Sequence, residues 1–115
     1  MICAMQLGAH WAGVAIENSM LGAAHACANP LTRFYGTLHA AALSIMLPRV
    51  VRWNATAAGD AYASMCADGL SQRLADYADA GSLPSRLRDV GVPREAVSKL
   101  AADASEQWTG RFNPR

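Results

Sequence analysis

The feature that most constrains this chain is a helical spacing of apolar side chains in a segment with almost no charge. Residues on one face are separated alternately by four and three positions, as in an amphipathic helix: Leu7, Trp11, Val14, Asn18, Leu21 and His25. Before Arg33 the only formal charge is Glu17, and the opposite face is hardly more polar. A helix that is apolar nearly all round is predicted to be central and covered by neighbours.

Two prolines guide the boundaries of the next elements. The first helix is predicted to end near Asn29-Pro30, because the residue before a proline is pushed out of the α region. Residues 30–37 are then predicted to form a connector, and residues 38–53 a second helix. Pro48 lies inside that helix and lacks a backbone N–H, so a kink is expected there.

Four further helices are predicted, each delimited by a capping residue, a glycine or a proline. They begin at Asn54 or Thr56, at Leu70, at Pro84 and at Pro93, and the first three end at Gly69, Gly81 and Gly91. The last is predicted to bury a stripe formed by Val97, Leu100, Ala101, Ala104 and Trp108. The alanine-rich composition favours helix over strand. The predicted fold is an all-α bundle of five to six helices in one domain covering residues 1–115.

The charge balance and the cysteines limit the function classes. Ten Lys and Arg against nine Asp and Glu give a net charge of +1, which is too little to attract nucleic acid or an anionic membrane. Three cysteines without CxxC spacing are typical of free thiols in a reducing cytoplasm. His10 and Glu17 interrupt the apolar N-terminal segment, which argues against a membrane helix or a secretory signal.

His25 and His39 are the candidate metal ligands. His25 closes the stripe of the first predicted helix and His39 opens that of the second, so a short connector should bring them together on buried faces. Neutral imidazoles shielded from water are good ligands for Fe²⁺ or Zn²⁺. However, a histidine on an apolar face is more often a hydrogen-bonded core residue. Two histidines also do not complete a metal site, because a metal ion bound by a protein usually has at least three protein ligands.

The sequence around these histidines resembles the iron-containing (group III) alcohol dehydrogenases. In LGAAHACANPLTRFYGTLHAAALSIMLPRVVRWN the two histidines stand 14 positions apart, as two metal ligands do in that family. The segments LPSRLRDVGVPREAVSKLAADA and QWTGRFNPR resemble the family's late helices and its Asn-Pro-Arg segment near the C-terminus. The likeness therefore runs in order along essentially the whole chain.

The chain also departs from the family pattern. Asn29 stands where many members have a second histidine that is implicated in proton transfer near the nicotinamide. Asn29 is therefore a catalytic candidate only in the sense that the resemblance implies a contact between its side chain and the cofactor or a bound water. Thr32 replaces a glycine, and Leu38-His39-Ala40 replaces the usual Pro-His-Gly. The family's α/β domain for NAD(P), and the Asp and His that complete its metal site, are expected upstream of Met1.

The resemblance implies the helical C-terminal part of a metal-dependent, NAD(P)-dependent alcohol dehydrogenase acting on a small alcohol or aldehyde. His25 and His39 would hold Fe²⁺ or Zn²⁺. NAD(P) would be bound by the other domain and not by this chain, which is expected to be inactive alone. Phe34, Tyr35 and Trp53 could line the substrate pocket, although ordinary packing is the more frequent role of such aromatics.

Two alternatives remain at this point. The nearly uncharged first helix needs a partner surface, which suits a homo-oligomer and also a stand-alone helical interaction module without catalysis. A small nucleic-acid binder is disfavoured because the charge is balanced and no basic face is present.

Overall fold

The computed structural model describes residues 2–115, which form five α-helices and three short 3₁₀ helices. The α-helices are α1 (Ile2–Ser19), α2 (Ala23–Tyr35), α3 (His39–Met65), α4 (Leu70–Ala80) and α5 (Val97–Glu106). The 3₁₀ helices cover Leu87–Val90, Arg94–Ala96 and Trp108–Phe112. Residues 2–115 contain no strand, and the all-α prediction is confirmed. None of the helices in this range combines the length and hydropathy needed to cross a bilayer.

Helix α2 organises the core. It packs against α3, α5 and the 3₁₀ helix at Trp108–Phe112, while α4 packs against α3. The core cluster combines small and branched side chains: Ala28, Leu31, Ala42, Val92 and Leu100. Ala28 and Ala42 are completely buried, and such small residues allow helices to approach closely. Full burial of a side chain such as Leu31 contributes about 1.5–3 kcal/mol.

Helix α1 ends earlier than predicted and buries nothing. The backbone leaves the helix at Met20, whose φ is 69°, and Gly22 is extended before α2 begins. The side chains of Asn18 and Ser19 each donate to a carbonyl one turn back, at 2.7 Å, a local bond that competes with the backbone pairing of the helix. None of the residues of α1 is buried. The prediction of a central, covered first helix is therefore wrong for this structure.

Pro30 lies inside α2 and does not end a helix. The predicted end at Asn29-Pro30 and the predicted connector at residues 30–37 are both wrong, since α2 continues to Tyr35. Its end is set by Gly36, which adopts a left-handed conformation with φ 62° that glycine tolerates best. Pro30 is among the most deeply buried residues, so packing offsets the hydrogen bond that its missing N–H cannot make.

The predicted second and third helices follow one another within α3, and the kink that separates them lies at Ala58. Neither Asn54 nor Thr56 begins a new helix. The backbone departs from helical angles at Ala58 (φ −127°, ψ 17°), and not at Pro48 as predicted. Pro48 is buried, and its carbonyl accepts a 2.7 Å hydrogen bond from the hydroxyl of Ser71 in α4. Contact with α4 thus holds the helix around this proline.

The later boundaries agree more closely with the sequence. Helix α4 covers Leu70–Ala80 and is closed by Gly81, as predicted. Pro84 does not start a helix, because the next turn begins at Leu87, but Gly91 ends that turn with φ 78°.

Pro93 precedes the turn that leads into α5. Of the stripe predicted for this helix only Leu100 is fully buried, whereas Trp108 is 55% exposed and rests edge-on against Phe112. The predicted burial of Trp108 is therefore wrong.

Candidate metal centre

His25 and His39 lie side by side. His25 is in the first turn of α2 and His39 is the first residue of α3. Their ring centroids are 5.3 Å apart and the ring planes are inclined by 42°. The predicted proximity of the two histidines is confirmed, and two imidazoles at this separation can present nitrogens to one ion.

The proximity arises differently from the prediction. His25 is at the N-terminal end of its helix, away from the connector to α3. After Gly36 the chain turns, and the N–H of Thr37 donates to the carbonyl of Leu31 at 3.4 Å, as at a helix end capped by glycine. Helix α3 then packs against α2, and His39 at its start reaches the ring of His25.

The two rings differ in their exposure. His25 is half-buried, whereas His39 is exposed, so the prediction that both are shielded from water is wrong for His39. Burial lowers the pKa of His25 below its ordinary value, and the neighbouring His39 lowers it further by charge repulsion. A lowered pKa keeps the imidazole of His25 neutral, which is the form that binds a metal.

The donor set of the pair fits a metal only in part. Imidazole nitrogen suits both Fe²⁺ and Zn²⁺. Among residues 2–115, however, His, Cys, Asp and Glu side chains form no group of three or more that could hold an ion. The pair therefore offers two donors, fewer than the three protein ligands that a bound metal usually takes.

Asn29 lies one turn after His25 on α2 and is half-buried. Its amide nitrogen donates to Oε1 of Gln107 at 3.2 Å. This bond ties α2 to the residue between α5 and the last 3₁₀ helix. The position of Asn29 is thus fixed from within the fold, and its contact to a cofactor or a water remains a prediction.

The three aromatic residues considered for a substrate pocket do not share one environment. Phe34 is 43% exposed and lies against the cationic groups of Arg33 and Lys99, at 5.0 and 5.3 Å from its ring centroid. Tyr35 packs against the core cluster. Trp53, on α3, is 46% exposed, and the guanidinium of Arg115 lies 5.0 Å from its ring centroid. Surface and core contacts thus account for Phe34 and Tyr35, whereas Trp53 lines a surface groove.

A surface groove that the sequence did not suggest lies between α2, α3, α5 and the C-terminal residues. Its volume is about 610 Å³, and His25 and His39 do not line it. Much of its wall consists of small residues that leave space between the helices: Ala23, Ala26, Ala101, Ala104 and Gly110. Cys27 also lines the groove, and burial raises the pKa of its thiol. A thiol of this kind is a weak nucleophile.

An amide cluster was also missed. Asn54, on α3, and Asn113, near the end of the chain, exchange hydrogen bonds of 3.0 and 2.7 Å. Asn54 is only 3% exposed. The Asn-Pro-Arg segment, which contains Asn113, was the one sequence signal for this cluster. Asn54 gave no such signal, because it was predicted to cap a helix.

The chain is similar to known proteins along nearly its whole length. A family model described as Fe-containing alcohol dehydrogenase family, C-terminal, matches residues 3–115. The chain is 36% identical over 127 aligned residues to the lactaldehyde reductase of Escherichia coli K12, an alignment that covers 96% of this chain and 33% of the relative. It is 33% identical over 119 residues to the 1,3-propanediol dehydrogenase of Citrobacter freundii, covering 90% of this chain and 31% of the relative. The chain thus spans about a third of the length of these curated relatives.

Proposed function

This chain belongs to the iron-containing alcohol dehydrogenase family, and from this premise we propose that it is the helical metal-binding part of an NAD(P)-dependent alcohol or aldehyde oxidoreductase. The observation that carries the proposal is the adjacency of His25 and His39, with ring centroids 5.3 Å apart. The printed names of the relatives, lactaldehyde reductase and 1,3-propanediol dehydrogenase, support a small aliphatic alcohol or aldehyde as the substrate.

In this proposal the two imidazoles would hold Fe²⁺ or Zn²⁺, and the bound ion would supply Lewis-acid chemistry at the substrate oxygen. His25 contributes a neutral nitrogen because its pKa is lowered by burial and by His39. His39, being exposed, leaves one side of the pair open to further ligands. Those ligands, and the binding site for NAD(P), would come from polypeptide other than residues 2–115. The three free cysteines suit a reducing compartment such as the cytoplasm.

The metal proposal is tested by titrating the 115-residue chain with Zn²⁺ in a calorimeter. We expect weak 1:1 binding that is lost in His25→Ala and in His39→Ala, because each variant removes one of two donors. His10→Ala is the matched control, since His10 lies on α1 and should leave binding unchanged. Equal Zn²⁺ binding by both pair variants and the unaltered chain would refute the proposal.

The assignment of NAD(P) to another domain has its own test. We expect the purified chain, loaded with Fe²⁺ or Zn²⁺, to show no reduction of NAD⁺ or NADP⁺ with propanediol or another small alcohol. Measurable turnover that disappears in His25→Ala would overturn this part of the proposal, because the chain would then bind the cofactor itself.

A second candidate function is favoured by the exposure of α1. Its large apolar side chains are between 41% and 75% exposed: Ile2, Met5, Leu7, Trp11 and Ile16. A helix that exposes this many large apolar side chains is typical of an interaction site, which suits a homo-oligomeric helical module. Sedimentation equilibrium should show self-association that Trp11→Glu abolishes. Trp108→Glu is the control, because Trp108 is similarly exposed but lies outside α1. A chain that is monomeric at all concentrations would exclude this candidate.

A further inference from the structure

Helix α2 begins without a capping side chain of its own. Its N-terminal flanking residue is Gly22, which has no side chain to offer. The first turn of an α-helix leaves N–H groups without partners inside the helix. One of these, the N–H of Ala23, donates to Oδ1 of Asn113 at 3.3 Å, across 90 residues of sequence. The cap of α2 therefore comes from the far end of the chain.

The amide of Asn113 is held firmly in place. Its Oδ1 accepts from Asn54 at 3.0 Å as well as from Ala23, and its Nδ2 donates to Oδ1 of Asn54 at 2.7 Å and to the carbonyl of Arg115 at 3.0 Å. All four hydrogen-bonding positions of this amide are thus used. Because Asn54 is buried in α3, Asn113 joins the start of α2 to the middle of α3.

Two more contacts keep the C-terminal segment against the helices. Arg115 donates to the carbonyl of Trp53 at 2.9 Å, and its guanidinium lies 5.0 Å from the centroid of the Trp53 ring. At Gly22, an added Cβ would stand 3.3 Å from Oδ1 of Asn113. A glycine at this position lets Asn113 approach the helix end closely.

The capped turn is the one that carries His25. The N–H groups of His25 and Ala26 both donate to the carbonyl of Gly22, at 3.1 and 3.2 Å. If this turn opened, the His25 ring would lose its fixed direction towards His39. The capping contact and the histidine pair are therefore coupled through the backbone of residues 22–26.

We propose that Asn113, held by Asn54, is a positioning residue for His25, which caps α2 across the fold and so fixes the His25 ring against His39. Its importance for metal binding rests on the proposed function, but the capping and the ring placement do not. The proposal assigns the Asn-Pro-Arg segment a task at the metal-site end of α2.

Amide hydrogen exchange measured by NMR on the whole chain tests the positioning directly. In Asn113→Ala the His25 and Ala26 amides should exchange about five- to tenfold faster, since a helix cap is worth about 1 kcal/mol. The contact between the His25 and His39 rings, seen as a nuclear Overhauser effect, should weaken. Asn113→Asp keeps an oxygen facing Ala23 but loses the amide nitrogen that donates to Asn54 and Arg115, so it should recover the slow exchange of the first turn only in part.

A control separates positioning from general stability. Ala78→Gly loosens a buried site on α4 and should leave exchange in residues 23–26 unchanged relative to the rest of the core. If Asn113→Ala accelerates exchange equally in all helices, the positioning role is refuted.

Zn²⁺ affinity provides the functional readout. We expect Asn113→Ala to bind Zn²⁺ about fivefold more weakly, less than the roughly 10–100-fold typical for a residue that hydrogen-bonds a metal ligand directly. Ala78→Gly should leave the affinity unchanged. Failure of the unaltered chain to bind Zn²⁺ would count against the proposed function, and the exchange data alone would then decide the positioning role. Unchanged affinity and unchanged exchange in Asn113→Ala would refute the positioning role alone.

Discussion

Helices α1 and α2 are both rich in small apolar residues and poor in charge, yet they have opposite environments. In α1 none of the residues is buried. In α2 five residues are buried, among them Ala28 and Leu31, which are almost completely shielded from solvent. The two helices are joined by only three residues, 20–22.

The contrast shows that apolar composition does not decide burial by itself. Helix α2 is covered because α3, α5 and the last 3₁₀ helix contact it on several sides. Helix α1 has Trp11 and other large side chains, but no neighbouring helix lies against them among the described residues. Stability should therefore depend strongly on α2 and hardly at all on α1.

The largest expected difference is between two leucines. Leu31→Ala should lower the free energy of unfolding by about 3 kcal/mol, because it removes a fully buried side chain and leaves a cavity. Leu7→Ala, at a 55% exposed position of α1, should change it by less than about 0.5 kcal/mol. Urea denaturation followed by circular dichroism measures both values. Ile45→Val, expected to cost about 1 kcal/mol, keeps the comparison measurable if Leu31→Ala unfolds. Equal effects of the two leucine variants would contradict the contrast.

A smaller difference, of opposite sign, is expected for two glycines. Gly36→Ala should destabilise the fold by about 1 kcal/mol, since φ 62° at the end of α2 is unfavourable for a residue with a Cβ. Gly8→Ala meets no atom within 4 Å and should stabilise α1 locally by up to about 1 kcal/mol. The first variant should lower the urea midpoint, and the second should raise the helical circular dichroism signal without moving that midpoint.

The smallest expected effect is a pH dependence at the partly buried start of α2. Because burial and His39 lower the pKa of His25 below 6.5, the unfolded chain takes up a proton at a higher pH than the folded chain. The free energy of unfolding should therefore fall as the pH drops through 6.5 and should not depend on this group above that region. In EDTA, His25→Gln should flatten this part of the curve. Gly36→Ala should shift the whole curve downwards without changing its slope, and a slope that His25→Gln leaves intact would assign the effect to another group.

Local signals predicted some elements well. Helix α4 lies between Gly69 and Gly81, and both boundaries follow from those glycines without any tertiary information. Gly91 likewise ends its turn as predicted. The iron-type family and the all-α fold were also accessible from sequence, because co-linear motifs cover the whole chain.

Other elements depend on packing that a sequence pattern does not contain. Pro30 and Pro48 look like interruptions, yet both are buried inside helices because neighbouring helices hold them there. The end of α1 had a weak local signal, since Asn18 and Ser19 precede Gly22, but the continuous apolar stripe concealed it. The adjacency of His25 and His39 was predicted from two helix ends joined by a connector, although His25 lies at the other end of α2 from the connector. Their role as metal ligands remains a prediction.

The break at residues 20–22 has a consequence for how the chain responds to handling. A protease that cuts beside Met20 would release a peptide that contains all 18 residues of α1, while every buried residue of the core would stay in the larger product. The same joint allows α1 to point in a new direction by rotation of a few backbone torsions, since no side-chain packing resists it. The direction of α1 relative to the other helices should then be set by whichever surface α1 binds.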